Sequence, residues 1–328
     1  MSREVLILSR ADIARLMDYP AYVEAVEAGF RAAADGAALA PPAAAFHVPG
    51  GGYHAKAAAM LAGDPPVMAI KLNGNYPGNP AKNGLPSVQG LVYLADASNG
   101  RPLALMDSIE ITINRTGAAT TIAARHLARP DSKVATICGA GVQGRIQAIA
   151  VAAALPLTTM HVWDIRPEAA TKLAGELARL LKIDVRPSAD LAITRQSDIV
   201  VTGTSAKQAF LTPDLVRPGT FIAAVGADND DKSEIAPTLY AKARVAVDSL
   251  EQCAEIGDLH HALAAGAVTR EHVQATLSEL VAGTKPGRRD AQEITLFDST
   301  GMGLQDVAAA AGIYKRALAT GAGTRLAL

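Results

Sequence analysis

Two rhythms of apolar and polar positions divide the chain. Up to about residue 125, short alternating runs predominate. "GYHAKAAAML", "VMAIKLNGNYPGN" and "SVQGLVYLADASNGRPLALMD" have the period of half-buried strands, with turns expected at Asn73–Gly74 and Asn99–Gly100. Ahead of them the first 35 residues read as helical. Ser9 caps a first helix with Asp12 in its opening turn, and Asp18 with Pro20 opens a second that stops at Gly36. Residues 37–52, rich in Ala, Pro and Gly, read as a loop leading to an edge strand. "EITINRTGAATTIAARHLA" then switches to helical spacing.

From Lys133 the pattern is different. "KVATICGAG", "TMHVWDI", "SDIVVTGTS", "TFIAAVGAD", "ARVAVDS" and "EITLFDSTG" are continuous apolar runs, most of them separated by helix-like stretches. Such runs indicate parallel strands covered on both faces. After Gly303 a last helix, "LQDVAAAAGIYKRALATG", is free to return to either half. The expected class is therefore α/β: a Rossmann-type doubly wound parallel sheet plus a separate α+β unit.

The junction "ICGAGVQGRIQAIAVAAAL" carries the first chemical signal. Gly139, Gly141 and Gly144 form G-x-G-x-x-G between a strand ending at Cys138 and a helix beginning near Gln143. Gly139 permits the tight turn, Gly141 lets backbone approach a pyrophosphate, and Gly144 lets helix and strand pack closely. The helix start, Val142 and Gln143, offers amide N–H groups to phosphate. Asp164, after the second strand, is placed to accept from ribose hydroxyls and to repel a 2′-phosphate, which favours NAD over NADP. Arg166, two residues on, keeps NADP as the lesser alternative.

Composition narrows the rest. A length of 328 residues suits one large or two medium domains, and 49% hydrophobic residues exclude a disordered chain. A net charge of −1 gives no footprint for nucleic acid or an anionic membrane. No apolar run reaches the length of a membrane span, and the N-terminus does not read as a signal peptide. Cys138 and Cys253 cannot build a disulfide framework, so a cytoplasmic protein is expected. The seven histidines have no metal-ligand spacing, and no metal is expected.

With the glycine loop come "KLNGNYPGNP", "INRTGAAT", "VGADNDDKSEI" and "ITLFDSTGMGLQD", in this order and across nearly the whole chain. Together they resemble the ornithine cyclodeaminase/mu-crystallin family, and most closely its archaeal-type alanine dehydrogenases and cyclic ketimine reductases. The resemblance implies a homodimer with a discontinuous substrate-binding and dimerisation domain, residues 1–123 with 304–328 returning to it, around an NAD-binding Rossmann domain at 124–303. It implies roles for particular residues. Lys71 holds the substrate at its carboxylate or α-carbon substituent, and Arg115, near a helix start, grips the carboxylate bidentately. Thr116 contacts cofactor phosphate, Asp228 handles the amine or water proton, and Ser299 lines the nicotinamide pocket together with Thr300. Thr202 to Ser205, including Thr204, line the adenosine side. Read without the family, Lys71 is a surface lysine, Arg115 a phosphate contact or a structural ion pair, and Asp228 a rival of Asp230 and Asp231 for capping "SEIAPTLYAKA".

The chain departs from the family in one stretch. Where many members carry a cation after a proline, it has Ala43 to Ala45. The next strand offers His54 and Lys56 on one face, and Lys56 can replace the missing charge. Ornithine-specific members place a glutamate on this strand for the distal amine, and this strand has no acid. The expected activity is NAD(H)-dependent reduction of the C=N bond of a small imino acid, cyclic or formed from a 2-oxo acid plus ammonia, or the reverse dehydrogenation. A cyclodeaminase with internal NAD cycling and a non-enzymatic NAD(P)H binder of mu-crystallin type are the alternatives.

Overall fold

The computed structural model describes residues 4–327. The expectations for the extreme N-terminus and for Leu328 fall in part on residues 1–3 and 328, which lie outside the described residues. The chain forms two units: one from residues 1–118 and 302–328, the other from residues 119–301.

The first unit opens with a strand, β1 (Glu4–Leu8), where helix was expected. "VLIL" is a short continuous apolar run, and it pairs with strands far away in sequence, which local periodicity does not reveal. Helix α1 (Arg10–Leu16) follows, with a reciprocal capping box between Ser9 and Asp12. Helix α2 (Tyr19–Ala34) has Asp18 as N-cap and Pro20 in its first turn.

The expected loop at 37–52 contains two short strands, β2 (Ala38–Leu39) and β3 (Ala44–Val48). Both pair antiparallel with β4 (Gly51–Met60), which satisfies backbone that a Pro-rich loop would leave to water. Strand β5 (Val67–Asn75) runs through Asn73–Gly74 without turning there. Asn73 pairs with Gly90 and Gly74 with Gln89 in the ladder to β6 (Val88–Asp96). A Cβ on Gly74 would meet the rings of Tyr53 and Tyr76, so this glycine makes room for aromatic side chains instead of making a turn. The chain reverses later, around the short helix α3 (Asn79–Asn83). The turn at Asn99–Gly100 forms as expected, and β7 (Pro102–Asp107) leads into α4 (Ser108–Leu127).

The second unit begins within α4 and continues as β8 (Val134–Cys138), α5 (Val142–Ala154), β9 (Thr159–Trp163), α6 (Pro167–Leu181), β10 (Asp184–Ser188), β11 (Ile199–Thr202) and β12 (Phe221–Ala224). Then come α7 (Pro237–Tyr240), β13 (Arg244–Val247), α8 (Leu250–Ile256), α9 (Asp258–Ala264), β14 (Val273–Thr276), α10 (Leu277–Ala282) and β15 (Thr295–Asp298). The sheet order is β10-β9-β8-β11-β12-β15-β13-β14, with every pairing parallel. The order reverses at β8, so a crevice opens between the carboxyl ends of β8 and β11, where ligands of such sheets bind.

Helix α11 (Gly303–Thr320) and β16 (Thr324–Ala327) return to the first unit. Its sheet has the order β16-β1-β7-β6-β5-β4-β2, with β3 on β4. Gly29 of α2 meets Ala308 of α11, and a Cβ on Gly303 would overlap the Ala57 backbone of β4. Small residues thus let α11 lie close to both helix and sheet.

Candidate functional site

In the first unit, β5 buries Ala69, Lys71 and Asn73 and exposes Ile70 and Leu72. This inverts the usual placement of lysine outward and leucine inward. Lys71 is 3% exposed and Arg115, two turns into α4 and not at its start, is 5% exposed. Both meet Asp306 in the first turn of α11. Lys71 Nζ lies 2.8 Å from both carboxylate oxygens, and Arg115 Nε is 3.1 Å from Oδ1. Arg115 Nη1 also donates to Gln305 Oε1 at 2.5 Å. Lys56 stands directly opposite Lys71 across β4 and β5, and His54 opposite Asn73. Burial pushes the Lys71 ammonium down to about 7, helped by the Arg115 and Lys56 charges and opposed by Asp306. Two buried cations on one acid leave an excess of positive charge, an arrangement that a bound carboxylate relieves. Thr116, one residue on from Arg115, donates its hydroxyl to the Thr112 carbonyl at 2.7 Å.

Asp306 and Gln305 were not among the residues that sequence reasoning selected. Their signal was present in "GLQD": an acid in the opening turn of a helix, which reads as a dipole or capping residue.

In the second unit the glycine turn lies at the end of β8. Gly139 has φ +108, and a Cβ there would press on the Gly203 carbonyl and Thr204 after β11. A Cβ on Gly144 would overlap the Gly139 carbonyl oxygen. These two glycines close the turn by themselves. Gly141 differs: nothing lies within 4 Å of a Cβ built there. It is the N-cap of α5 and gives no side-chain cap, so no side chain occupies the first-turn amides around Val142 and Gln143. This suits a diphosphate at the end of a 13-residue helix. Asp164, just past β9, accepts from Ala140 N at 2.8 Å and from Arg166 N at 2.9 Å. It therefore ties the glycine turn to the start of α6, and the Arg166 guanidinium lies 3.5 Å away.

The loops after β11, β12 and β15 are held by buried carboxylates that sequence reasoning also passed over. Glu234 accepts from Thr204 N and Thr204 Oγ1, both at 2.6 Å, and from Gly226 N at 3.0 Å. Thr204 is thus committed to Glu234, while Ser205 is exposed and Thr202 is buried at the strand end. Asp258 Oδ1 in turn accepts from the amides of Glu234 and Ile235. Burial, with the Asp258 charge behind it, pushes the Glu234 carboxyl up. Ser299 donates to Asp248 at 2.9 Å, and Gly301 N donates to the same oxygen at 2.7 Å, which fixes the turn after β15. Asp228 is half exposed, with its carboxylate 2.6 Å from Lys232 Nζ. No helix starts near it before Pro237, so the capping alternative does not apply. Among the described residues, no group of His, Cys, Asp and Glu is placed to hold a metal.

The family model described as "Ornithine cyclodeaminase/mu-crystallin family" matches residues 3–321. The chain belongs to this family. The alanine dehydrogenase of Archaeoglobus fulgidus is 35% identical over 324 residues, 98% of each chain. The iminosuccinate reductase of Paracoccus denitrificans is 34% identical over 324 residues, 95% of this chain and 97% of its own. Among solved structures, the Δ1-pyrroline-2-carboxylate reductase of Thermococcus litoralis, in complex with NADH and L-proline, has a TM-score of 0.94 at 36% identity and covers 98% of this chain and 100% of its own. These family members share the fold described above, in which an α/β sheet of parallel strands is joined to a second sheet.

Proposed function

We propose that this family member is an NAD(H)-dependent oxidoreductase that reduces the C=N bond of a small imino acid to an L-amino acid, or runs the reverse dehydrogenation. The observation that carries this reading is the buried pairing of two cations, Lys71 and Arg115, with a single acid, Asp306. That pairing leaves positive charge for one more carboxylate. Residues 1–123 with 304–328 form the substrate-binding and dimerisation domain in this reading, and residues 124–303 form the cofactor domain.

NADH supplies a hydride to the carbon of the C=N bond when it is bound. Gly139, Gly141 and Gly144, with the amides of Val142 and Gln143, hold its diphosphate. Asp164 meets the ribose hydroxyls, and its charge disfavours NADP; Arg166, already beside that carboxylate, is less available for a 2′-phosphate. Ile165, 82% exposed, gives an apolar surface for a planar base next to Asp164. Thr116, Thr202, Thr204, Ser205 and Ser299 shape the remaining cofactor contacts, Thr204 and Ser299 through their backbone carbonyls, since their hydroxyls and amides are already held. Lys71 and Arg115 orient the substrate carboxylate, with Lys56 and His54 at its edge. Asp228 moves the proton that the imine nitrogen gains on reduction.

Strand β4 carries Tyr53, His54 and Lys56 but no acid, so a diamino acid would bring a distal ammonium without a partner there. This supports the reductase reading over a cyclodeaminase. The outward face of the first unit's sheet supports a homodimer: Leu72 and Leu91 are register partners exposed by 46% and 54%, with Ile70 beside them and Phe46 exposed on β3. Cys138 and Cys253 are buried free thiols, in keeping with the cytoplasm, and no described helix is long and apolar enough to cross a membrane.

The test is absorbance at 340 nm with cyclic imino acids, or with 2-oxo acids plus ammonia. NADH oxidation in step with amino acid formation is expected. Ammonia release from diamino acids with no net NADH change would replace this reading with the cyclodeaminase.

A further inference from the structure

The charged groups around Lys71 come from three elements, Lys56 from β4, Arg115 from α4 and Asp306 from α11, while β6 places the apolar Val92 opposite it. Asp306 is the only acid among these four, and it is 1% exposed. Both of its oxygens are within 2.8 Å of Lys71, and Arg115 approaches one of the same oxygens. Gln305, its neighbour in the helix, takes the other side of the Arg115 fork. The first turn of α11 therefore holds both cations by one carboxylate and one amide. α11 is itself fixed to the sheet at Gly303 and to α2 where Ala308 meets Gly29, and a Cβ on either glycine would collide.

We propose that Asp306 is a positioning residue, setting the spacing of Lys71 and Arg115 and holding the proton on Lys71 between turnovers. This rests on the reading that these two cations bind the substrate carboxylate. Without the Asp306 charge, the carboxylate that holds Lys71 against burial and the neighbouring Arg115 charge is gone, and the ammonium gives up its proton at lower pH. A substrate carboxylate then meets a neutral amine and a misaligned guanidinium.

The experiment compares wild type, D306N, D306E, K71M and R115M by kcat/KM across pH for NADH-dependent imine reduction, with NADH affinity as control. D306N should lose at least about tenfold in kcat/KM near neutrality, chiefly through KM. Its basic limb should move down by about one pH unit, with NADH affinity unchanged. D306E should keep the limb near its wild-type position while KM rises, because the charge remains and the spacing changes. A D306N enzyme with the wild-type limb overturns the proposal even if its activity falls, since simple packing loss would not move a titration. Should D306N not fold, D306E decides: raised KM at unchanged NADH affinity supports the role, and wild-type KM overturns it. If K71M and R115M keep wild-type kcat/KM, the carboxylate-binding reading itself falls, an outcome separate from failure of Asp306 alone.

Discussion

The Lys71–Arg115–Asp306 cluster of the first unit and the loop-holding carboxylates of the second bury charge in opposite ways. In the first, two cations surround one acid, and the acid bonds to side chains. In the second, Glu234, Asp258 and Asp248 are buried acids whose chief partners are backbone amides and hydroxyls of loops. The difference separates two tasks. A buried carboxylate satisfied by several N–H and O–H groups holds loop geometry, because each donor is fixed in direction. A buried cluster with an excess of one sign is left incomplete, and its completion by an oppositely charged ligand is a source of affinity and orientation.

The comparison breaks most readily at the cations. K71M or R115M should cost about 2–5 kcal/mol of transition-state stabilisation, roughly 30- to 4000-fold in kcat/KM, while NADH affinity measured by fluorescence titration stays within about twofold. Equal loss of NADH affinity would deny that the tasks are separate. The glycine turn offers a contrast within the second unit. G144A should fail to fold or lose NADH binding outright, because its Cβ overlaps the Gly139 carbonyl. G141A should keep the wild-type Tm and lose only NADH affinity, because nothing in the protein meets its Cβ. A normal NADH affinity in G141A would remove the diphosphate from this turn.

Smaller effects sharpen the picture. E234Q places an amide N–H against the donors at Thr204 or Gly226, and should cost about 1–3 kcal/mol by urea denaturation. For pH, Lys71 has its ammonium pushed down to about 7, so it is charged below that value and neutral above it. A reaction that needs the charged form therefore loses kcat/KM as pH rises through about 7, by about tenfold per unit thereafter. A flat profile from pH 6 to 9 would exclude Lys71 as the titrating cation. The least change is expected for D164A, which should improve NADPH use relative to NADH by about tenfold, the scale of one partly exposed like-charge repulsion.

Local signals in the sequence located the glycine turn, the Asn99–Gly100 turn, the capping box at Ser9 and the parallel strands, because each depends on neighbours a few residues apart. β1 was missed because its partners β7 and β16 are remote in the chain. Asn73–Gly74 read as a turn because Asn-Gly is the strongest hairpin pair, yet here ring packing fixes the glycine within a strand. Lys71 and Arg115 were legible only through the family motifs. Taken alone, "AIKLN" puts its lysine on the surface, and only the closed first unit shows that face turned inward onto α11. Asp306 and Glu234 were invisible for a related reason: an isolated acid in a sequence does not disclose whether it will be buried or by what.

The central claim is that a hydride passes between NAD(H) and the carbon next to a carboxylate held by Lys71 and Arg115. The most direct measurement supplies NADH carrying deuterium at both C4 positions together with a cyclic imino acid, and follows the label by NMR. Deuterium on the α-carbon of the amino acid, with one NADH oxidised per product and label transfer by K71M slowed at least about 30-fold, is the predicted result. Product formed without the label, or equal transfer by K71M, would contradict the account.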